Sequence, residues 1–327
     1  MTSTAAPTPA VSPFTGGAPS SPDQASRLRE LVRQWRDTAE ATAAPEQPAT
    51  PRCPVVTITS GKGGVGKTNL SVNLAIALSQ LGCRVTLLDA DLGLANADVL
   101  CGLTPTTRLD SVLDGPSGDR RTLRQLAVAA PAGVRLIPGA VGLPRIAELA
   151  APQRDFLVRQ LVDIESDSDV VLVDTGAGIG ASVLAFVAAA NLALVVSTPE
   201  PTAITDAYAM VKAAIPLQRH GARIGLVVNQ SASVGEAEAT HARIAGVAER
   251  FLNMRPEYLG SVRRDEAVPR SVRARSPFLL ACPRAGASED VRRLARGLRE
   301  RLGLQATLPI TRPEGFWARV WRPLSVR

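Results

Sequence analysis

The chain has 327 residues, 45% of them hydrophobic, which is enough to bury one large core and still leave extra segments at the ends. Only 3% are aromatic, so that core has to be built mainly from aliphatic and alanine side chains. The longest apolar stretch, Val183 to Val196, is interrupted by Asn191 and is too short to cross a bilayer, which argues against a membrane-spanning protein.

The net charge is +7, and the excess lies in the C-terminal quarter. From Arg255 to Arg327 there are 16 arginines and 7 acidic residues, whereas the rest of the chain is close to neutral. This asymmetry indicates either an anionic partner, membrane or nucleic acid, or a solvated face in an arginine-rich chain.

The four cysteines have no spacing typical of a metal site or a redox motif, so we expect buried, reduced thiols in a cytosolic protein: Cys53, Cys83, Cys101 and Cys282.

The N-terminal part divides into three segments by composition. Residues 1–22 are rich in Pro, Ser, Thr and Ala and are predicted to be disordered. Residues 23–37 predict a short amphipathic helix, with Asp23 as its cap and apolar residues at three- and four-residue steps. The composition of residues 38–51 predicts a linker. A helix tethered in this way docks either on its own domain or on a partner protein.

The next element carries the strongest motif. After the apolar run Val55–Ile58, residues 61–68 have the pattern G-x-x-x-x-G-K-[ST] and precede a predicted helix. In such a loop the glycines allow backbone N–H groups to surround phosphate, the lysine (Lys67) reaches the β/γ-phosphates, and the hydroxyl of Thr68 holds Mg²⁺. The chain uses lysine at only three positions, and Lys62 and Lys67 both lie in this loop.

From residue 52 to about 305, predicted strands and helices alternate. The strands are 54–59, 84–89, 134–138, 169–174, 192–197, 223–229, 258–262 and 277–281. The helices are 67–81, 108–113, 121–128, 153–164, 181–190, 203–215, 235–252 and 287–302. Continuous apolar strands are typical of a parallel sheet covered on both faces. We therefore predict a doubly wound α/β domain with a mostly parallel sheet of about seven or eight strands.

Polar residues follow several of these strands, at the sheet edge where such folds bind ligands. Asp174 is placed to serve Mg²⁺, together with Thr68 and Asp89. Either Asp89 or Asp91 can orient an attacking water, and Asp91 lies further past the strand end. The amide of Asn229 suits an adenine edge.

These motifs together resemble the MinD/ParA family of deviant Walker A ATPases, and within it most closely the FlhG group of flagellar regulators. The resemblance rests on the loop 60–68, on Asp-Ala-Asp-Leu-Gly-Leu-Ala-Asn at 89–96, on Asp-Thr-Gly-Ala-Gly-Ile at 174–179, on residues 198–208 and on Asn229. The segment Asp23–Arg29 also resembles an N-terminal element of that group that stimulates the GTPase FlhF.

The resemblance implies a P-loop ATP hydrolase that forms a homodimer around ATP and Mg²⁺. It implies that Lys62 crosses to the phosphates of the second copy, whereas the residues alone also allow Lys62 to neutralise phosphate within its own subunit. Lys67, Asp91 and Asp174 would complete the catalytic set. The implied nucleotide-binding residues are Gly61, Lys62, Gly63, Gly64, Val65, Gly66, Lys67, Thr68, Asn69 and Asn229. The partner contacts implied for an FlhF-like GTPase are Asp23, Gln24, Ala25, Leu28 and Arg29, with flagellar components as further partners.

The tail, residues 306–327, is basic and holds two of the three tryptophans. As a helix, one side would carry Phe316, Trp317, Val320 and Trp321. This pattern predicts a short amphipathic anchor for an anionic membrane surface, unless the tryptophans pack back on the domain. We therefore expect a cytoplasmic protein that lies on the inner face of the cell membrane in its ATP state.

Two other functions remain open at this point. One is a ParA-type positioning ATPase that binds DNA nonspecifically through the basic C-terminal quarter. The other is an interaction scaffold that binds ATP without hydrolysing it, although the set Lys67, Thr68, Asp91 and Asp174 argues against this. A dinucleotide dehydrogenase is disfavoured because the loop lacks G-x-G-x-x-G spacing.

Overall fold

The computed structural model describes residues 53–91, 95–106, 122–139, 163–217 and 223–304. The strands are β1 Val55–Ser60, β2 Val85–Ala90, β3 Val128–Ala129, β4 Arg135–Ile137, β5 Val170–Ala177, β6 Leu192–Ser197, β7 Arg223–Ser231 and β8 Glu257–Arg263. The helices are α1 Lys67–Gln80, α2 Ala97–Leu100, α3 Leu123–Leu126, α4 Ala181–Ala189, α5 Pro201–Ala214, α6 Val234–Leu252, α7 Ala267–Arg273, α8 Phe278–Ala281 and α9 Gly286–Arg301.

The strands within these ranges form one eight-stranded sheet in the order β3-β4-β2-β5-β1-β6-β7-β8. Each neighbouring pair is parallel except β3 with β4. Strands β2 to β5 lie on one side of β1, and strands β6 to β8 lie on the other side. The order of the strands therefore reverses at β1. The predicted doubly wound α/β fold is therefore confirmed, and ligands of such folds bind beyond the carboxyl ends of the strands at this reversal.

The central strand β1 is buried along its whole length because helices cover both faces of the sheet. Val56 and Ile58 belong to the core that includes α1 and α9. Thr57, between them, points to the other face, where its hydroxyl donates to the carbonyl oxygen of Phe186 in α4 at 3.1 Å. Successive side chains of β1 therefore pack alternately against the two helical layers, and neither face of the strand is exposed to solvent.

Two of the sequence predictions need correction. The segment 277–281 is not a strand: residues 278–281 form the short helix α8, which packs against α1. The predicted helix 121–128 is replaced by the shorter α3 followed by β3. The short helices α2 and α7 were not predicted. The predicted helix 108–113 and most of 153–164 lie outside the described residues.

The assignments to residues 1–51 and 306–327 also lie outside the described residues, including Asp23–Arg29 and the aromatic residues of the tail. None of the helices that the structure describes combines the length and the apolar run needed to span a bilayer. Cys53, Cys83 and Cys101 are buried free thiols as predicted, whereas Cys282 is half-buried.

Candidate functional site

The loop between β1 and α1 is shaped to receive an anion. Gly64 and Gly66 have φ angles of 82° and 89°, the left-handed region that favours glycine. Gly66 is also the N-cap residue of α1, and no side chain caps this helix end. The amide groups of the first turn therefore lack a side-chain acceptor and face the loop, an arrangement that binds phosphate.

Two glycines allow the loop to fit closely between its neighbours. A Cβ atom on Gly61 would lie 2.0 Å from the carbonyl oxygen of Asp206 in α5. A Cβ atom on Gly66 would lie 2.5 Å from Nδ2 of Asn229, at the end of β7. No side chain larger than glycine fits either position without moving its neighbour.

Asn229 braces the loop from outside. Its Nδ2 donates to the carbonyl oxygen of Val65 at 2.8 Å, and Nε2 of Gln230 donates to Gly64 at 3.4 Å. The sequence predicted that Asn229 binds adenine, and it did not predict this contact with the loop. It gave no role to Gln230. The rest of the predicted loop, including Gly63, Thr68 and Asn69, lies around the same helix end.

Lys67 and Asp174 lie close enough for their charges to interact, at the start of α1 and near the end of β5. Lys67 is the first residue of α1 and is buried. Asp174 is fully buried at the end of β5, where Ser71 donates to its Oδ1 at 2.8 Å and Thr68 adds a further hydrogen bond. Burial raises the pKa of Asp174 to about 6, whereas the hydrogen bonds from Thr68 and Ser71 and the charge of Lys67 oppose the shift.

The second oxygen of Asp174, Oδ2, is buried without a hydrogen-bond partner. A buried carboxylate oxygen without a donor is costly, and a hard cation relieves that cost. Because the Thr68 hydroxyl lies beside the same carboxylate, the residues present fit a Mg²⁺ ion bound with a nucleotide.

Asp89 lies beside Asp174, since the two residues are paired in register on β2 and β5. Burial raises the pKa of Asp89 to about 7, and the negative charge of Asp174 adds to the shift. Its two oxygens accept from the backbone N–H groups of Asp91 at 3.1 Å and Ala97 at 3.0 Å. Asp89 therefore holds the backbone that carries Asp91.

Asp91 is half-buried and faces the C-terminal end of β5. Its Oδ1 would lie 3.4 Å from a Cβ atom on Gly176. The structure thus brings three predicted carboxylates, Asp89, Asp91 and Asp174, to adjoining strand ends beside Lys67 and Thr68. This is a charge-rich site in which a water molecule and a phosphate can be held together.

Lys62 has partners that the sequence prediction did not include. Its Nζ donates to Oε1 of Glu200 and to the hydroxyl of Thr202, each at 2.7 Å. The hydrogen bond from Lys62 keeps the pKa of Glu200 below its usual range. Glu200 directly precedes α5, at the carboxyl end of β6. A search of strand ends for acids, the rule that selected Asp174, would also have found it.

Together, the glycine loop between a strand and a helix, its lysine and the Asp174–Thr68–Ser71 cluster define a P-loop nucleotide hydrolase. Residues 56–278 match the family described as the CobQ/CobB/MinD/ParA nucleotide binding domain. The chain belongs to this family and is an ATP hydrolase of the MinD/ParA type.

Two curated relatives resemble most of the chain. The antiactivator FleN of Pseudomonas aeruginosa is 45% identical over 235 residues, which cover 72% of this chain and 82% of FleN. The flagellum site-determining protein YlxH of Helicobacter pylori is 35% identical over 244 residues, 73% of this chain and 80% of YlxH.

Solved structures agree with the fold. MinD in the Aquifex aeolicus MinC:MinD cell division complex has a TM-score of 0.62 at 25% identity, covering 80% of this chain and 99% of that chain. MinD from Pyrococcus horikoshii, complexed with Mg-ADP, also has a TM-score of 0.62, at 23% identity, covering 78% of this chain and all of that chain.

Proposed function

We propose that this protein is an ATP-dependent, dimerising ATPase that regulates the number or placement of flagella. The observation that carries the proposal is the 45% identity to FleN, together with the 35% identity to the flagellum site-determining YlxH. Lys62 supports it, because the loop places a second lysine beside the phosphate-binding one.

The proposed chemistry assigns each residue a local task. Lys67 and the amide groups at the start of α1 bind the phosphates, and Asp91 orients the attacking water. Thr68 and Asp174, with Asp89 behind them, would hold Mg²⁺, which supplies charge neutralisation on the phosphates when bound. Asn229 holds the loop through Val65, which leaves its side-chain oxygen for the exocyclic amino group of adenine.

Lys62 is proposed to act across the dimer. Its ammonium group would stabilise charge that develops on the phosphates bound by the second copy. The bonds from Lys62 to Glu200 and Thr202 have to open before it can do so. The side chains of Lys62 and Glu200 are 35% and 56% exposed, so water competes with this ion pair and the pair opens at low cost.

The terminal segments are proposed to connect this switch to its partners. Asp23, Gln24, Ala25, Leu28 and Arg29 would stimulate an FlhF-like GTPase, which a GTPase assay with a peptide of residues 20–37 tests. The tail would bring the ATP-bound dimer to the inner membrane face, because two short anchors bind together far better than one. Sedimentation with anionic liposomes tests this, with Trp317 and Trp321 changed to Ala as the control.

The function itself is tested in the source organism. Replacement of the chromosomal gene by a Lys67→Ala version, and deletion of the gene, are both expected to change the number or position of flagella per cell, counted by electron microscopy. Normal flagella in the deletion strain would overturn the proposal.

A second candidate, nonspecific DNA binding, has one observation in its favour. Several exposed arginines lie between β8 and α9 and form no ion pair with the residues that the structure describes: Arg264, Arg270, Arg273, Arg275 and Arg284. ATP-dependent DNA binding that weakens steeply with salt would favour this candidate over the flagellar one.

A further inference from the structure

Strand β7 ends in a bulge at Gln230. The register of β7 with β8 shifts between Asn229 and Ser231, which leaves Gln230 without an opposite residue. Its φ angle is 58°, in the left-handed region that side chains other than glycine rarely adopt. Bulges and left-handed residues of this kind re-aim side chains, and they concentrate next to functional sites.

The bulge turns two consecutive amide side chains to the same side. Neighbouring residues of a regular strand point to opposite faces of the sheet. Here Nδ2 of Asn229 donates to the carbonyl oxygen of Val65 at 2.8 Å. Nε2 of Gln230 donates to the carbonyl oxygen of Gly64 at 3.4 Å. A Cβ atom on Gly66 would lie within 4 Å of both amide nitrogens. The left-handed backbone of Gln230 thus brings its side chain to the glycine loop, next to Asn229.

These two contacts fix the orientation of two peptide groups in the loop. In a planar trans peptide, the carbonyl oxygen and the following N–H group point in opposite directions. Gln230 holds the carbonyl oxygen of Gly64, so the N–H group of Val65 points away from β7. Asn229 holds the carbonyl oxygen of Val65 and in the same way orients the N–H group of Gly66. Within the described ranges, neither N–H group donates to a protein acceptor, so both are available to a ligand in the loop.

We propose that Gln230 is a positioning residue for phosphate binding. By holding the peptide group between Gly64 and Val65, it aims the N–H group of Val65 at the triphosphate of ATP. This N–H group then lies beside the one that Asn229 orients. Consecutive N–H groups that are fixed before the ligand arrives bind an anion with a smaller ordering cost. The role belongs to the ATP hydrolase activity and does not depend on the flagellar function proposed above.

Nuclear magnetic resonance of the isotope-labelled full chain tests the orientation directly, with inorganic tripolyphosphate and Mg²⁺ as the probe. At saturation, the amide proton signals of Val65 and Gly66 are expected to move downfield as both groups donate to phosphate oxygens. Gln230→Met keeps the length of the side chain but has no donor, so it should strongly reduce the shift of Val65 and leave that of Gly66 nearly unchanged. Gln80→Met, at the exposed end of α1, is the matched control and should leave both shifts as they are in the original chain. An undiminished Val65 shift in Gln230→Met, or equal reduction at Val65 and Gly66, would overturn the proposal.

Gln230→Gly distinguishes positioning from a merely structural role. Glycine adopts the left-handed conformation without strain, but it has no amide side chain to hold the loop. The urea concentration at the midpoint of unfolding is therefore expected to be no lower than for the original chain. The dissociation constant for tripolyphosphate, measured by calorimetry, should nevertheless rise about three- to tenfold. Stability and affinity that fall together, or an unchanged dissociation constant, would overturn the proposal. Either result leaves the flagellar proposal untouched, because the probe and both measurements involve no partner protein.

Discussion

At the scale of single residues, Lys62 has one set of partners in the single chain and another in the proposed dimer. In the single chain its ammonium group is bonded to Glu200 and Thr202. In the proposed dimer the same group faces phosphate oxygens of the second copy. If Lys62 crosses to the second copy as proposed, competition between these partners makes Glu200 a restraint on Lys62 rather than a catalytic group.

This competition predicts opposite behaviour for the two charged residues. Lys62→Ala and Lys62→Arg are expected to lower ATP turnover at least about tenfold, because a developing negative charge loses its fitted cation. Glu200→Ala is expected to dimerise at an ATP concentration no higher than the original chain needs, because Lys62 is released. ATP hydrolysis assays measure the turnover of the three variants, and light scattering measures their dimerisation. A loss in Glu200→Ala as large as that in Lys62→Ala would contradict the restraint.

The buried carboxylates predict a pH dependence of stability. Burial raises the pKa of Asp174 from 3.8 to about 6 and that of Asp89 from 3.8 to about 7. A carboxyl whose pKa is raised by folding stabilises the folded state while it is protonated. The free energy of unfolding of the nucleotide-free protein should therefore fall as the pH rises from about 4 to about 7.

Asp174→Asn removes a buried carboxylate, and with it part of the loss of stability at high pH. It also removes a proposed Mg²⁺ ligand. At pH 8 the variant should be more stable than the original nucleotide-free chain by on the order of 1–3 kcal/mol, a difference that shrinks towards pH 4. It should also lose Mg²⁺-dependent ATP binding. Urea unfolding at both pH values measures the first effect and calorimetry the second. Lower stability of the variant at pH 8 would show that Asp174 is not destabilising there.

Residue-scale prediction from the sequence is most specific where a motif indicates the chemistry. Lys67, Thr68 and Asp174 follow from spacing and strand ends, and the structure brings them together. Glu200 and Ser71 were missed as partners, since a contact between residues 138 apart, such as Lys62 with Glu200, leaves no local pattern. The brace from Asn229 to Val65 was missed for the same reason.

At the scale of elements, the glycine loop depends on its neighbours as much as on its own residues. Asn229→Ala removes the donor to Val65 and should weaken binding of ADP and of inorganic tripolyphosphate alike, by about three- to tenfold. Calorimetric titration of both ligands measures this. Since tripolyphosphate has no base, a loss confined to ADP would make contact with adenine, and not the brace, the main role of Asn229.

Two glycines of the same loop provide a matched pair. Gly66→Ala should destabilise the nucleotide-free chain by about 1–3 kcal/mol, because φ is 89° and the new Cβ atom would meet Asn229. Gly63→Ala should stay within about 0.5 kcal/mol, because no heavy atom lies within 4 Å of its Cβ position. Urea unfolding compares them, and equal losses would mean that the loop is not shaped by Asn229.

Element prediction failed where apolar runs were short. Residues 278–281 form one helical turn that buries Phe278 and Leu279, and a run of that length cannot be distinguished from a strand by periodicity. Pro269 within residues 267–273 obscured α7 because proline is rare inside helices. The long buried strands β1, β5 and β6 were predicted well because continuous apolar runs between loops favour a covered parallel sheet.

At the scale of the whole molecule, two tasks occupy different parts of the chain. The nucleotide site lies at the carboxyl edge of the sheet around β1. The terminal segments carry the proposed contacts with the GTPase and the membrane. Such separation would allow the ATP state to be read by partners that never contact the nucleotide.

The central claim is that ATP joins two copies through Lys62, and the mass of the assembly tests it most directly. In saturating ATP and Mg²⁺, the variant Asp91→Ala, in which hydrolysis is blocked, should have twice the mass of one chain by light scattering. The double variant Asp91→Ala, Lys62→Ala should remain a single chain that still binds ATP. A single-chain mass for Asp91→Ala, or a dimer that persists without Lys62, would contradict the account.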